Sequence, residues 1–298
     1  MHIPRTKIQN RVFDWGARTY VMGILNITPD SFSGDGMLSP TDSNGKVSLL
    51  DILARAREFA ASGVDIIDIG GESTRPGAEQ IGPEDEMERV LPAIRLLSSE
   101  LDVLISIDTY KAKVAEAGIQ AGAHIVNDVW SLHADPELAN VIAINNVPVI
   151  LMHNRSSWAH AQVKERLGGR YVGVPYDDLM SDVKRELLES VSLAHEAGIP
   201  DDHIILDPGI GFGKTVEQNL ELIDRLEEIR LLGYPVLFGP SRKSFIGYTL
   251  DLSPDQRLEG TAAAAAVGIA RGGDILRVHD VSFMSRVARM TDAIVRRV

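Results

Sequence analysis

The feature that most limits what this chain can fold into is an alternation. Short runs rich in valine and isoleucine recur at 20–26, 64–69, 103–107, 124–128, 147–152, 203–207, 235–239 and 274–278, and longer stretches of helical period lie between them. Eight βα units in strict order predict an α/β fold, a (β/α)8 TIM barrel. A doubly wound open sheet is the rival, and its usual number of strands fits less well. Residues 11–20 (Arg11-Val-Phe13, Asp14-Trp-Gly16, Thr19-Tyr20) read as an N-terminal β-hairpin leading into the first barrel strand.

Helix ends are legible too. Val47, Leu50, Leu53 and Ala60 make one apolar stripe that stops at Gly63. The next helix opens with Glu84, Asp85 and Glu86, suited to the positive end of a helix dipole, and Pro92 predicts a kink in it. Asp135-Pro136 reads as a cap and first helical residue. Thr215-Val-Glu-Gln218 is a capping box opening a long helix that ends before Gly233.

Composition narrows the function classes. The 298 residues carry 42 acidic and 30 basic side chains, a net charge of −12, with 44% hydrophobic and 24% charged residues. That is an ordinary globular composition, and no linker, low-complexity tract or repeat interrupts it, so residues 1–298 are expected to form one domain. The acidic balance argues against a general nucleic-acid or membrane-surface binder. The chain has no cysteine, which removes disulfides, thiolate zinc sites, iron–sulfur clusters and thiol nucleophiles. No apolar run of signal-peptide length follows Met1-His2-Ile3-Pro4-Arg5, and 261–270 is too short to span a bilayer, so the cytosol is expected.

In a barrel the βα loops converge at the C-terminal ends of the strands, and that rim holds the site. Here the strand ends deliver Asn26, Gly71-Glu72-Ser-Thr74-Arg75-Pro76, Asp108-Thr109, Asn127-Asp128, Met152-His153, Asp207, Ser241-Arg242-Lys243 and Arg277-Val-His279. Asp108, Asn127 and Asp207 suit a flat, nitrogen-rich heterocycle, because a carboxylate accepts two parallel N–H bonds and an amide offers donor and acceptor together. Arg75, Arg242, Lys243, Arg277 and His279 form a cationic group suited to phosphate. The long connections 27–46 and 70–83, with their glycines, are candidate lids.

These residues carry a family resemblance. Asn26-Ile-Thr-Pro-Asp-Ser-Phe-Ser33, Gly71-Glu-Ser-Thr-Arg-Pro-Gly77, Ser106-Ile-Asp-Thr109, Asn127-Asp-Val129, Leu206-Asp-Pro-Gly-Ile-Gly-Phe-Gly-Lys214, Ser241-Arg-Lys243 and Arg277-Val-His279 resemble the signatures of dihydropteroate synthases, in the family's order along nearly the whole chain. The resemblance implies condensation of 6-hydroxymethyl-7,8-dihydropterin diphosphate with p-aminobenzoate, releasing pyrophosphate, in folate biosynthesis. It implies that Asp108, Asn127, Asp207, Lys243 and Met152 hold the pterin. Asn26, Arg75, Arg277 and His279 take the diphosphate, with Asn26 also binding Mg²⁺. Thr74, Pro76, Phe212, Ser241 and Phe32 line the p-aminobenzoate pocket. Asp35 joins Asp108, Asp207 and Lys243 in catalysis, and the assembly is a homodimer. A dissociative, SN1-like substitution is the expected mechanism.

The chain departs from the family in two places. Its first loop reads Ser33-Gly34-Asp35-Gly36 where the family has Ser-Asp-Gly-Gly, which leaves the role of Asp35 open. After Met152-His153 it has Asn154-Arg155-Ser-Ser-Trp158 and further basic residues to Arg170. A non-catalytic pterin-binding homologue and a pterin-dependent methyltransferase are the alternatives, and the diphosphate-suited cations weigh against the second.

Other features have structural readings. Pro208 breaks the P-loop pattern before Gly213, and Lys214 occupies the third glycine place of a dinucleotide pattern, so the glycines there serve a turn and Lys214-Thr215 starts a helix. His124 and His195 read as ordinary, His153 as open, and Asp65 and Asp68 as barrel-core polar groups, Asp68 with equal claim to the site. No metalloprotease-like spacing appears, so any metal is expected to arrive with substrate.

Overall fold

The computed structural model describes residues 3–28, 48–73, 80–156, 161–164, 166–171 and 173–296. Eight parallel strands form the barrel: β3 (Tyr20–Asn26), β4 (Ile66–Gly70), β5 (Leu104–Asp108), β6 (Ile125–Asp128), β7 (Val149–Met152), β10 (Ile204–Asp207), β11 (Leu237–Phe238) and β12 (Ile275–Val278). They pair in the order β10-β7-β6-β5-β4-β3-β12-β11, and a parallel bridge between Leu206 and Val236 closes the ring. All eight lie within a few residues of the runs read from sequence.

Helices α1 (Leu49–Ala61), α2 (Pro83–Glu100), α3 (Ala112–Ala121), α4 (Leu138–Asn145), α5 (Leu179–Glu196), α6 (Val216–Asp224), α7 (Glu227–Arg230), α8 (Ser244–Leu250), α9 (Leu258–Ala270) and α10 (Val281–Val295) follow their strands and cover the barrel. The α1 stripe sits differently from the one read in sequence: Ile52, Leu53, Ala56 and Phe59 are buried, whereas Leu50 is 76% exposed. The cause lies in β3. A Cβ at Gly23 would fall 2.7 Å from the Phe59 ring, so the missing side chain admits Phe59 and sets the helix's rotation. Helix α2 continues through Pro92 as one element. The Thr215–Gln218 capping box forms as expected, but the long helix divides into α6 and α7 around Arg225 and Leu226. Asp135 is not the cap of α4, whose N-cap is Glu137; it closes the turn ahead of that helix by accepting the Glu137 N–H and ties it to α3 by accepting the Ala112 N–H.

The N-terminal hairpin pairs β1 (Thr6–Ile8) with β2 (Arg11–Phe13), so it lies earlier than the 11–20 reading. The polar pair Gln9-Asn10, with Gln9 at φ +55°, makes its turn. In the segment between β7 and α5 a second antiparallel pair forms, β8 (Ala161–Lys164) with β9 (Gly168–Tyr171). Arg257 ties it down by donating to the Leu167 carbonyl at 2.7 Å.

The barrel lumen is layered. Each of its strands contributes to a buried apolar cluster: Tyr20 and Met22 from β3, and Ile66, Leu104, Ile125, Ile150, Ile205, Leu237 and Ile275 from the others. Ile3, Ile8, Phe13 and Trp15 join it from the N-terminal segment, and the Phe13 ring lies 5.1 Å from Trp15 and 4.6 Å from Tyr20. The hairpin thereby seals the N-terminal mouth. Side chains alternate along a strand, so the next inward layer lies two residues on. It holds Asp68, Ser106, Asn127, Asp207 and Arg277. Ile24, Met152 and Gly239 fill the remaining places, so a wholly apolar floor gives way to a mostly polar layer. Among the described residues, no helix is long and apolar enough to cross a membrane.

Candidate active site

Charges from non-adjacent strands meet inside the lumen at its C-terminal end. The Arg277 guanidinium of β12 donates from Nε to Asp68 Oδ2 at 2.7 Å and from Nη2 to Asp108 Oδ2 at 2.6 Å. Asn127 Nδ2 donates to the same Asp68 oxygen at 3.1 Å. Asp68 is fully buried, and its Oδ1 makes no hydrogen bond. One arginine thus faces two carboxylates and is electrostatically coupled to a third, Asp207.

Asp207 ends β10, beside Met152 in the parallel ladder. Its Oδ1 accepts the Gly209 N–H at 2.7 Å. Burial raises the Asp207 pKa against the pull of Lys243, and burial brings Lys243 down to about 8 against the support of Asp207. Asp108 is likewise raised by burial, with Arg277 opposing. The Lys243 ammonium bonds to the Ile210 carbonyl and stands 4.6 Å from the centre of the Phe212 ring. Nearby, Ser241 Oγ is 2.9 Å from His279 Nδ1 and accepts the His279 backbone N–H at 3.2 Å. Arg242 adopts φ +54° and turns its guanidinium onto Asp280, at 2.6 Å.

Asn26 ends β3 opposite Gly70 of β4. A Cβ at Gly70 would lie 3.4 Å from Asn26 Oδ1 and 3.4 Å from Asp108 Cβ, so the glycine keeps a cradle open between an amide oxygen and a carboxylate. Among the described residues no three His, Cys, Asp or Glu side chains are grouped to hold a metal.

With this geometry in place, comparisons with known proteins are decisive. The sequence model described as "Pterin binding enzyme" matches residues 22–279. A dihydropteroate synthase of Clostridium beijerinckii is 48% identical over 293 residues, 98% of this chain and 100% of the relative. The chain belongs to the dihydropteroate synthase family.

Solved dihydropteroate synthases share its fold. One from Clostridium difficile, determined in the presence of pteroic acid, is 47% identical with TM-score 0.83, over 95% of this chain and 99% of that one. Another, from Xanthomonas albilineans with 4-aminobenzoic acid, is 36% identical with TM-score 0.85, over 98% of each. The α/β barrel fold of this chain is therefore shared with solved dihydropteroate synthases.

The structure brings Asn26, Asp108, Asn127, Met152, Asp207, Phe212, Ser241, Lys243, Arg277 and His279 to one end of the barrel. Phe32, Asp35, Thr74, Arg75 and Pro76 lie outside the described residues. Asp128 belongs to the turn after β6, where it accepts the Trp130 and Leu132 N–H groups at 2.8 and 2.5 Å. Asp65 works at the other end, accepting the Val21 N–H and pairing with Arg18. His124 accepts the Ile105 N–H, and His195 pairs with Asp201 at 2.8 Å on the surface. Arg277, grouped in the sequence with the phosphate-binding cations, sits between two carboxylates instead of beside His279 alone. Two groups carried more than their sequence reading showed: Asp68, the common acceptor for Arg277 and Asn127, and Lys214, buried behind the rim.

Proposed function

We propose that this dihydropteroate synthase joins p-aminobenzoate to 6-hydroxymethyl-7,8-dihydropterin diphosphate and releases pyrophosphate. The observation that carries the reading is the meeting of opposite charges on one rim: Asp68 and Asp108 bonded to Arg277, with the Lys243 ammonium near enough to Asp207 to favour its charge. Carboxylates at pterin height accept N–H bonds from the amino-amide edge of a pterin, and the Asn127 amide adds donor and acceptor. Burial has raised both Asp108 and Asp207, so N–H donors from a ligand would relieve charges that lie away from solvent.

The same groups serve the reaction. When the methylene C–O bond breaks, positive charge spreads into the pterin, and Asp108 and Asp207 stabilise it electrostatically. Arg277 spans the two halves of the problem. Its Nε and Nη2 hold the carboxylates, while its remaining edge and His279 meet the charge growing on pyrophosphate. The arylamine is neutral at pH 7 and needs no strong base; Phe212, Ser241 and the Lys243 stem orient it. The order we infer is dissociative: C–O cleavage first, amine capture second. Thr74, Arg75, Pro76, Phe32 and Asp35 complete this reading on the two connections after β3 and β4.

Mg²⁺ fits the site as a partner of the diphosphate. Asn26 Oδ1 is a hard oxygen donor at an open cradle, and so small a protein donor set suits an ion that keeps several waters and phosphate oxygens. When bound, the ion supplies charge neutralisation to the leaving group. A cytosolic homodimer without nucleic-acid or membrane partners completes the proposal.

Pyrophosphate release from the pterin diphosphate, followed with and without p-aminobenzoate, tests it. Release that depends on the amine and yields dihydropteroate supports the reading. Tight pterin binding without release points to a non-catalytic homologue. Positional isotope exchange in the diphosphate before amine addition separates the dissociative order from direct displacement.

A further inference from the structure

Among the described residues, the buried guanidinium of Arg257 bonds to no carboxylate. It stands at the start of α9, is 3% exposed, and donates to three backbone carbonyls. Nη1 reaches Arg242 O at 2.9 Å, Nη2 reaches Leu167 O at 2.7 Å and Leu252 O at 3.2 Å, and Nε also meets Leu252 O at 3.3 Å. Burying a charge without an ionic partner is costly, and burial lowers the Arg257 pKa, with Tyr248 and Asp255 opposing. The fold nevertheless makes room for it. A Cβ at Gly247 would fall 2.1 Å from Nη2 and 2.4 Å from Cζ, so the guanidinium occupies the place of a side chain on α8. A glycine inside a helix weakens it, and here that weakness admits Arg257.

The three carbonyls belong to three parts of the fold. Leu167 lies in the turn between β8 and β9, Leu252 just past α8, and Arg242 in the rim turn between β11 and α8. Of these, Arg242 is the strained one. Its φ of +54° lies in the left-handed region, which is unfavourable for a residue with a branched path of side-chain atoms and persists only where its surroundings impose it. The Arg242 N–H donates to Thr261 Oγ1 at 3.0 Å, and the Thr261 hydroxyl donates in turn to the Arg257 carbonyl at 2.7 Å. Both backbone polar groups of Arg242 are therefore held from the first turn of α9, the N–H by Thr261 and the carbonyl by Arg257.

Other bonds act on the same turn. The Lys243 N–H donates to Pro240 O at 3.3 Å, the Arg242 guanidinium meets Asp280, Ser241 Oγ meets His279, and the Lys243 ammonium bonds to the Ile210 carbonyl. Those contacts close the turn and fix side-chain ends. The bonds from Thr261 and Arg257 act elsewhere, on the two peptide planes that meet at the Arg242 Cα, and so on its φ and ψ. Ser241 lies on one side of that junction and Lys243 on the other. Rotation at Arg242 turns the hydroxyl relative to the ammonium.

We propose that Arg257, together with Thr261, is a positioning residue for the rim turn: it holds Arg242 in the left-handed conformation from which Ser241 and Lys243 reach their places. Through Leu167 the same guanidinium joins the β8–β9 hairpin to that turn. The inference rests on the reading that Ser241 and Lys243 meet the substrates. It differs from a merely structural brace because catalysis depends on one hydroxyl and one guanidinium that touch neither substrate.

The test compares the full-length enzyme with Arg257→Met, Gly247→Ala, Thr261→Val and Thr261→Ser, each assayed well below its unfolding temperature. Gly247→Ala sets a methyl group where the guanidinium lies. Thr261→Val keeps the volume and removes the hydroxyl, and Thr261→Ser keeps the hydroxyl. The expected result is a kcat/KM lowered about tenfold or more in the first three, the scale on which small misplacements act, and within about threefold of wild type in Thr261→Ser. Arg257→Met combined with Thr261→Val should lose less than the product of the two separate losses, because both act on one residue. A lowered thermal midpoint with unchanged kcat/KM overturns the proposal. So does a Thr261→Ser loss equal to that of Thr261→Val, or a double variant that loses the full product. If Arg257→Met does not fold, Gly247→Ala and the Thr261 pair decide. Amide exchange reads the hold without the reaction: it should quicken at Arg242 in Thr261→Val and at Lys243 in Gly247→Ala. Wild-type enzyme that releases no pyrophosphate overturns the proposed function, and unchanged exchange at these two amides overturns this inference separately.

Discussion

The two ends of the barrel are built on the same strands and the same inward-facing register, yet they do opposite things. At the N-terminal end the strands contribute Met22, Ile66, Leu104, Ile125, Ile150, Ile205, Leu237 and Ile275 to one apolar cluster, closed from below by Phe13 and Trp15 of the hairpin segment. Two residues further along lie Asp68, Ser106, Asn127, Asp207 and Arg277. Strand propensity does not separate these layers; position along the strand does. The floor also tunes what stands on it. A dry apolar layer under the charges reduces their solvation, which is why Asp207 is raised and Lys243 is lowered by burial although each favours the other's charge. One end supplies stability and the low-dielectric base, and the other spends that base on chemistry.

Substitutions at each end should therefore have unlike signatures. At the upper end, Lys243→Ala and Asp207→Asn are expected to lower kcat/KM by about 10²–10³-fold, the scale of removing one charged hydrogen-bonding group from a closed site. Their thermal midpoints should stay within about 3 °C of wild type. At the lower end, Phe13→Ala opens a cavity between Trp15 and Tyr20 and is expected to cost about 3–5 kcal/mol of stability with kcat retained. Steady-state kinetics and urea unfolding on the same three proteins check the contrast. Near-normal kcat/KM in both upper-end variants would break it.

The pH response sharpens the comparison, because activity and stability should move in opposite directions. Burial lowers Lys243 from 10.5 to about 8. Between those values the unfolded chain holds a proton that the folded protein has released, so the burden of the buried charge is fully present below about pH 8 and is relieved as pH rises. Unfolding free energy of wild type relative to Lys243→Gln should climb across that window. Meanwhile kcat/KM should fall roughly tenfold per pH unit above about 8, as the ammonium is lost. A parallel rise or a parallel fall of the two quantities would show that Lys243 is not the group titrating.

Much of this was legible in the chain itself, and the misses share a cause. Strand positions were readable because parallel strands buried on both faces are continuous apolar runs. The Thr215–Gln218 box was readable because capping is local chemistry. What failed depended on partners far away in sequence. The α1 stripe was misjudged because its rotation is set by the gap over Gly23, on another element. The hairpin lies earlier because the chain turns twice: Asp14-Trp-Gly16 is a turn, with Gly16 at φ +87° and the Ala17 N–H on the Asp14 carbonyl, but the paired strands flank Gln9-Asn10. Arg277 reads from sequence by its charge alone; its partners Asp68 and Asp108 sit on β4 and β5, two and three strands away around the barrel and far off in sequence. Lys214 looked like the start of a helix because nothing in its neighbourhood announces that His153 would come to meet it.

Ser106 marks the seam between the two ends and gives the smallest expected effect. It stands beside Asp68 in the β4–β5 ladder, fully buried, with a hydroxyl that forms no hydrogen bond to protein. A buried polar group without a partner is destabilising, so replacing it by a methyl group should be neutral or favourable, by about 0–1 kcal/mol. Ser106→Ala is therefore expected to keep kcat/KM within about twofold and to leave or slightly raise the thermal midpoint. If its activity instead falls tenfold with the fold intact, the Ser106 hydroxyl serves the site although no hydrogen bond to protein holds it. Asp68, whose Oδ1 shares that layer and also lacks a partner, would then be the next residue to substitute.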